Sequence, residues 1–119
     1  MKGKIHKTAA FTLVEIMIVV AIIGLLAAIA IPNFVRARTQ SQMNACINNL
    51  RQIDGAIQQW ALENKKDAAA VVAEADVTPF LKSSVTCPSG GTTFADSYTV
   101  VNVATEPVCQ KVPLTHDLP

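Results

Sequence analysis

Apolar residues follow two different patterns in the first half of the chain. Residues 11–31 (FTLVEIMIVVAIIGLLAAIAI) are apolar at nearly every position, and Glu15 is the one charged residue among them. After Pro32 the apolar residues recur at spacings of three and four, as on one face of a helix: Met43, Cys46, Ile47, Leu50, Ile53, Ile57, Trp60 and Ala61. The two patterns predict one helix over about residues 11–64, apolar all round in its first half and amphipathic in its second.

The apolar run is long enough to cross a membrane. At 1.5 Å per residue, about 21 helical residues span roughly 31 Å, close to the thickness of a bilayer's hydrocarbon core. A bend is expected at Pro32, which cannot donate a backbone hydrogen bond to Ala28. Glu15 is costly inside a bilayer, by about 2.5–3.5 kcal/mol at the centre of a helix. Two interpretations follow. Glu15 is a functional residue with a cationic partner, which can belong to another subunit, or its side chain snorkels to the membrane interface.

The last third of the chain predicts a small antiparallel β region. Residues 65–76 lack a clear period and are predicted to form a loop or a frayed helical turn. Thr78 is expected to cap a short helix that begins at Pro79. Residues 88–91 (PSGG) are typical of a turn. Two or three short strands are predicted around them, at residues 84–87, 92–94 and 98–103. The tail, PVCQKVPLTHDLP, is expected to be irregular. The fold class is therefore α+β, a long N-terminal helix packed on a small hairpin or sheet.

Composition and charge divide the chain further. It has 119 residues, of which half are hydrophobic, and a net charge of +1. Three cations, Lys2, Lys4 and Lys7, lie in the first ten residues, so a chain beginning at Phe11 would carry seven cations against nine acids, a net charge of −2. This balance argues against nucleic-acid binding. Four segments are predicted: a basic leader (1–10), an apolar helix (11–31), its amphipathic continuation (32–65) and a small loop and β domain (66–119).

These features together resemble the type IV pilin and type II secretion pseudopilin superfamily. The resemblance rests on the basic leader, the small residues before Phe11, the sequence FTLVEIMIVVAIIGLLAAIAIPNF and the amphipathic continuation, over about residues 7–64. It implies that a prepilin peptidase cleaves between Ala10 and Phe11 and methylates the new amino group of Phe11. It also implies that Glu15 pairs with the N-terminus of a neighbouring subunit, and Pro32 matches a family feature. Ala10 is a departure, because the family usually has glycine before the cut.

The same resemblance implies a structural role. The chain would be a subunit of a type IV pilus-like or type II secretion pseudopilus filament, assembled through its hydrophobic helix. Its partners would be identical or homologous pilin subunits, the prepilin peptidase, and an inner-membrane assembly platform with its ATPase. It would cross the inner membrane once before assembly and lie in a periplasmic or extracellular filament afterwards. The alternative from another class is a membrane-anchored binding module with an uncleaved helix that never polymerises.

The cysteines predict a disulfide that stabilises the small loop and β domain. Cys87 and Cys109 are predicted to form a disulfide that closes a loop of about 22 residues and stabilises by about 3 kcal/mol. Two separate buried thiols are the alternative. Cys46 lies on the helical stripe and is predicted to be a small buried hydrophobe rather than a reactive or pairing thiol. The segments CPSGGTTF and EPVC look like the C-terminal pattern of short pilin-like proteins, in which a hairpin follows the helix.

No catalytic, cofactor or metal site is expected. The sequence has two histidines, His6 and His116, and neither a CxxC pair nor a glycine-rich phosphate loop. The leader contains His6, and His116 is expected to be solvated in the proline-rich tail. Major pseudopilins often bind calcium in an acidic C-terminal loop, but the acids after residue 80 are widely spaced: Asp96, Glu106 and Asp117. The chain is therefore predicted not to be an enzyme.

Overall fold

A computed structural model of the chain describes Gly3 and residues 9–119, which divide into two compact units with a boundary between Ala37 and Arg38. The elements in chain order are helix α1 (Leu13–Glu63), helix α2 (Glu74–Val77), a 3₁₀ helix (Thr78–Phe80), helix α3 (Phe94–Ser97), strand β1 (Tyr98–Thr99) and strand β2 (Val108–Cys109). The predicted α+β class, a long N-terminal helix with a small antiparallel sheet, is confirmed. The predicted leader, residues 1–10, lies outside the described residues except for Gly3, Ala9 and Ala10.

Both ends of α1 are closed by local hydrogen bonds. At its start the Glu15 carboxylate accepts from the Thr12 backbone N–H at 2.7 Å, and the Thr12 hydroxyl oxygen accepts from the Glu15 N–H at 3.2 Å, which is a capping box. At its end Lys65 adopts a left-handed conformation (φ 51°), and the Lys66 N–H donates to the Ala61 carbonyl at 2.9 Å. Pro32 lies inside α1, and the bend expected there stays a prediction.

The core of the second unit is built on the predicted helical stripe. Six of the eight stripe residues are buried (Cys46, Leu50, Ile53, Ile57, Trp60 and Ala61), and Met43 and Ile47 are half-buried. The same cluster includes apolar side chains from the C-terminal segments: Val72, Val77, Val85, Phe94, Tyr98 and Val103. The periodicity after Pro32 therefore predicted the core face of the helix correctly.

The predicted strands were mostly wrong. Within residues 9–119, strand structure is limited to β1 and β2, which pair antiparallel with Tyr98 opposite Cys109, and to an isolated bridge between Val71 and Asn102. Strand β2 lies in the tail that was expected to be irregular. Residues 84–87 form no strand, and residues 92–94 instead lead into α3. The reason is local: the Thr93 hydroxyl accepts from the Asp96 N–H at 3.3 Å, and this capping box overrides the β propensity of the threonines.

The segment before Pro79 differs from the prediction at Thr78. Helix α2 begins inside residues 65–76, the stretch predicted to form a loop or a frayed helical turn. Thr78 does not act as an N-cap, because its hydroxyl donates to the Glu74 carbonyl at 2.8 Å, one turn back. Thr78 is instead the first residue of the 3₁₀ helix, in which Pro79 occupies an early position that needs no N–H donor.

Candidate functional site

The apolar half of α1 presents an exposed hydrophobic surface. Large side chains along this half are exposed, from 49% at Ile16 to 77% at Leu13. Within the described residues, α1 is the helix long and apolar enough to cross a membrane, and none of its apolar window is buried. A patch of this size on a single chain marks a surface for a membrane or for other proteins.

Glu15 lies in the first turn of this surface. Its carboxylate is exposed, and one oxygen, Oε2, accepts from the Thr12 N–H. Ala10 and Phe11 precede the helix, are exposed and lie outside regular secondary structure, so the peptide bond between them is accessible. The arrangement places an acid one helical turn from the residue predicted to become the N-terminus. The capping role of Glu15 was missed by sequence reasoning, although the T-x-x-E spacing from Thr12 is its signal.

Small residues lie further along the same half. A Cβ atom added at Gly24 would meet nothing within 4 Å, and Ala21 and Ala28 are exposed. Small residues at such spacings allow two helices to approach closely in an apolar environment. The surface of a single chain therefore leaves room for a neighbouring helix here.

A second constellation is buried in the other unit. Cys46 from α1, Cys87 from the segment before α3, Cys109 from β2 and His116 from the tail place one potential ligand atom each within 4.8 Å of one another. The Sγ atoms of Cys46 and Cys87 are 3.8 Å apart, and those of Cys87 and Cys109 are 3.5 Å apart. The Cys109 Sγ lies 4.0 Å from the His116 Nδ1. All four side chains are buried.

The structure differs from the prediction at His116 and leaves the predicted Cys87–Cys109 disulfide open. The prediction that His116 is solvated was wrong, since its side chain is only 3% exposed. Its backbone N–H donates to the Val112 carbonyl at 3.0 Å, and its ring Nδ1 lies 4.0 Å from the Cys109 Sγ. The thiols of Cys87 and Cys109 are unbonded in this structure, so the disulfide between them is not shown and stays a prediction. Cys46 is fully buried, as predicted, yet it touches other thiols.

The three thiols differ electrostatically. Burial raises the pKa of Cys46 to about 12, and burial also raises the pKa of Cys87. Burial opposes ionisation of Cys109 as well, but backbone N–H groups of Val112 and Lys111 and the neighbouring thiols outweigh it and lower its pKa. Cys109 is thus the member of the cluster whose thiolate the surrounding protein stabilises best.

Further contacts fix the cysteines in place. The Asn49 side-chain amide donates to the Tyr98 hydroxyl oxygen at 3.0 Å and to the Thr86 carbonyl at 3.1 Å, and the Tyr98 oxygen lies 3.8 Å from the Cys46 Sγ. The Gly91 N–H donates to the Cys87 carbonyl at 2.8 Å. A Cβ atom at Gly91 would lie 2.7 Å from the Cys87 backbone nitrogen, so this turn closes only because residue 91 has no side chain.

Sequence reasoning missed this cluster. Its members are far apart in sequence and show none of the short ligand spacings that identify metal sites. Cys46 was assigned to the helical stripe and His116 to the solvent, which removed two of the four. The available signal was the odd number of cysteines, three, in a small domain.

Comparisons with known proteins point to the N-terminal part of the chain. The family model described as "Prokaryotic N-terminal methylation motif" matches residues 5–31. The chain is 56% identical over 43 residues to the type IV major pilin protein PilA of Myxococcus xanthus, covering 36% of this chain and 20% of the relative. It is 48% identical over 56 residues to the type IV major fimbrial protein FimA of Dichelobacter nodosus, which is 47% of this chain and 35% of the relative. It is 32% identical over 56 residues to the type II secretion system core protein G of Klebsiella pneumoniae, which is 47% of this chain and 40% of the relative.

These matches have a limited extent. The chain spans at most about two fifths of the length of these three relatives, and no solved structure matches it significantly. The relatives are structural pilin, fimbrial and secretion-system proteins rather than enzymes, which agrees with the prediction that this chain is not an enzyme.

Proposed function

We infer that this chain is a structural subunit of a filament, from the premise that its N-terminal segment belongs to the type IV pilin and type II secretion pseudopilin superfamily. The observation that carries the proposal is the first half of α1, whose apolar surface is exposed around the helix. A bilayer would cover this surface before assembly, and the helices of identical or homologous subunits would cover it afterwards. Head-to-tail contacts between different faces of neighbouring subunits generate an open fibre when their rotation does not close a ring.

Assembly would begin with processing in the inner membrane. A prepilin peptidase would cleave the exposed bond between Ala10 and Phe11 and methylate the new amino group. The carboxylate of Glu15 would then pair with the N-terminus of a neighbouring subunit, which offsets the cost of placing an acid in an apolar filament core. A platform protein and its ATPase would move the subunit from the membrane into a periplasmic or extracellular filament.

Within this class we favour a pseudopilus-like filament. The second unit has only two short strands in its described residues, and such a small outer domain offers little surface for adhesion. The higher identity to pilins than to secretion protein G does not decide the matter, because each match covers about half of this chain or less. A pilus-like filament and a pseudopilus-like filament would both assemble through the first half of α1.

Intact-mass analysis of the chain isolated from membranes tests the proposal. We expect a mass that lacks residues 1–10 and carries one additional methyl group. An Ala10→Gly variant should be processed at least as fast as the native chain, and Ala10→Leu should block processing because the peptidase requires a small residue before the cut. A membrane form that retains residues 1–10 would instead support the non-polymerising binding module. Equal cleavage of Ala10→Leu and native chains would rule out this cleavage site.

A further inference from the structure

We propose that Cys46, Cys87, Cys109 and His116 bind one structural Zn²⁺ ion in the second unit. Three thiolates and one imidazole form a ligand set that is common in structural zinc sites. All four residues lie in the second unit, so the site requires neither cleavage nor filament assembly.

Three distances between the ligand atoms are close to those of a tetrahedral zinc site. With Zn–S bonds of about 2.3 Å, sulfur ligands of a tetrahedral ion lie roughly 3.8 Å apart, and a sulfur and an imidazole nitrogen roughly 3.6 Å apart. The Sγ atoms of Cys46 and Cys87 are 3.8 Å apart, and those of Cys87 and Cys109 are 3.5 Å apart. The distance from the Cys109 Sγ to the His116 Nδ1 is 4.0 Å. These three distances lie within about 0.4 Å of those of a tetrahedral zinc site, and all four ligand atoms lie within 4.8 Å of one another.

The composition of the cluster favours a metal over a disulfide. A bond between Cys87 and Cys109 would use two of the four groups and leave the Cys46 thiol and the His116 ring buried beside it. A zinc ion uses all four, and it explains why a histidine from a proline-rich tail is buried against a sulfur. The two arrangements exclude one another, because both require Cys87 and Cys109.

The chemistry of the donors selects the metal. Thiolate and imidazole are soft to intermediate ligands that suit Zn²⁺ and exclude Ca²⁺ or Mg²⁺, which require oxygen donors. All four ligands come from the protein and all are buried, so the site is closed. A closed four-ligand site is typical of structural zinc, whereas a catalytic site keeps one position open to water.

The site would stabilise a unit that has few other means to hold its segments together. Its four ligands come from α1, the turn before α3, strand β2 and the tail, while the sheet consists of two strands of two residues. Small domains with so little regular structure commonly depend on a metal or a disulfide. Zinc would therefore fix the tail and the sheet onto the amphipathic half of α1.

Metal and thiol analysis of the native chain gives the first test. The full chain is purified in detergent from its own membranes after rapid alkylation of accessible thiols. We expect about one zinc per chain, measured by plasma mass spectrometry, and three cysteines in reduced form by non-reducing peptide mapping. A Cys87–Cys109 disulfide in the native chain would overturn the proposal.

Cobalt provides the second test, because Co²⁺ reports its ligands by absorption. The reduced, metal-free chain should bind Co²⁺ with thiolate charge-transfer bands and the intense visible bands of a tetrahedral ion, and Zn²⁺ should displace it. Cys46→Ser and His116→Ala should weaken binding by more than about tenfold. Thr115→Ala, at the exposed neighbour of His116, is the matched control and should bind as the native chain does.

A variant with an exchanged ligand shows whether loss of folding, rather than loss of a ligand, weakens cobalt binding. His116→Cys keeps four ligands and should retain cobalt binding with stronger charge-transfer absorption, because one more sulfur binds the ion. Absence of a tetrahedral thiolate spectrum from the native chain, or equal binding by Cys46→Ser, His116→Ala and the native chain, would contradict the proposed site.

Discussion

The two halves of α1 differ in whether their apolar side chains are buried. Up to residue 31 the helix is apolar on all sides and its large side chains are exposed. Beyond Pro32 it is apolar along one stripe, and that stripe is buried against side chains such as Val77, Phe94 and Tyr98. A stripe needs only the rest of its own chain as a partner, whereas a helix that is apolar all round needs a bilayer or other subunits. The half beyond Pro32 thus takes part in folding of the second unit, and we propose that the first half takes part in assembly.

The largest effect is expected from Glu15 in the exposed half. Glu15→Val should leave membrane insertion intact but prevent efficient filament assembly, because the variant inserts more easily while losing the partner for the neighbouring N-terminus. The yield of filaments sheared from cells measures this effect. Normal yield from the Glu15→Val strain would contradict a role for this carboxylate in assembly.

Two further variants separate assembly from helix capping. Glu15→Gln keeps an oxygen that can accept from the Thr12 N–H but removes the charge, and it should assemble as poorly as Glu15→Val. Thr12→Ala removes the hydroxyl that caps the Glu15 N–H, at a cost of about 1 kcal/mol in helix stability, and should reduce filament yield much less. The reverse order of effects would show that Glu15 acts only as a cap.

A pair of isoleucines tests the comparison directly. Ile53 is fully buried and Ile23 is 61% exposed. Ile53→Ala should lower the free energy of unfolding of the detergent-solubilised chain by about 2–5 kcal/mol, because it leaves a cavity in the core. Ile23→Ala should leave it nearly unchanged and reduce filament yield instead. Urea titrations followed by fluorescence of Trp60, the single tryptophan, measure unfolding of the second unit.

Two glycines should respond in opposite directions. Gly91→Ala should destabilise the second unit by about 1–3 kcal/mol, because the new methyl group meets the Cys87 backbone and the Ser97 hydroxyl. Gly55→Ala is the matched control on the amphipathic half of α1, where a Cβ atom meets nothing within 4 Å. It should stabilise the helix by about 1 kcal/mol. Equal changes in the two urea midpoints would contradict the close packing at residue 91.

The smallest effect is expected from Asp96, the half-buried acid in the capping box of α3. Hydrogen bonds from the Thr92 hydroxyl and then from the Thr93 backbone hold the pKa of Asp96 below its usual range. A lowered folded-state pKa contributes stability that is complete above the unfolded value of about 3.9 and is lost as the pH falls through the folded value. Asp96→Ala should therefore lower the melting temperature at neutral pH, and the difference should shrink below about pH 4. Glu106→Ala is the control at an exposed acid outside the capping box.

The helix was predictable because its signals are periodic and local. The apolar run and the stripe from Met43 to Trp60 gave its limits to within about two residues and its buried face. The strands were not, because two-residue strands carry almost no pattern and the capping box at Thr93 competes with β propensity. The cysteine cluster depends on contacts between Cys46 and residues more than forty positions away, which no local spacing records.

We propose that the exposed half of α1 forms the core of a filament. Sheared filaments can be purified, labelled with an antibody in the electron microscope and analysed for the intact mass of the subunit. We expect label along the whole filament and a subunit that begins at methylated Phe11. A chain found only in membranes, with residues 1–10 still attached, would contradict it.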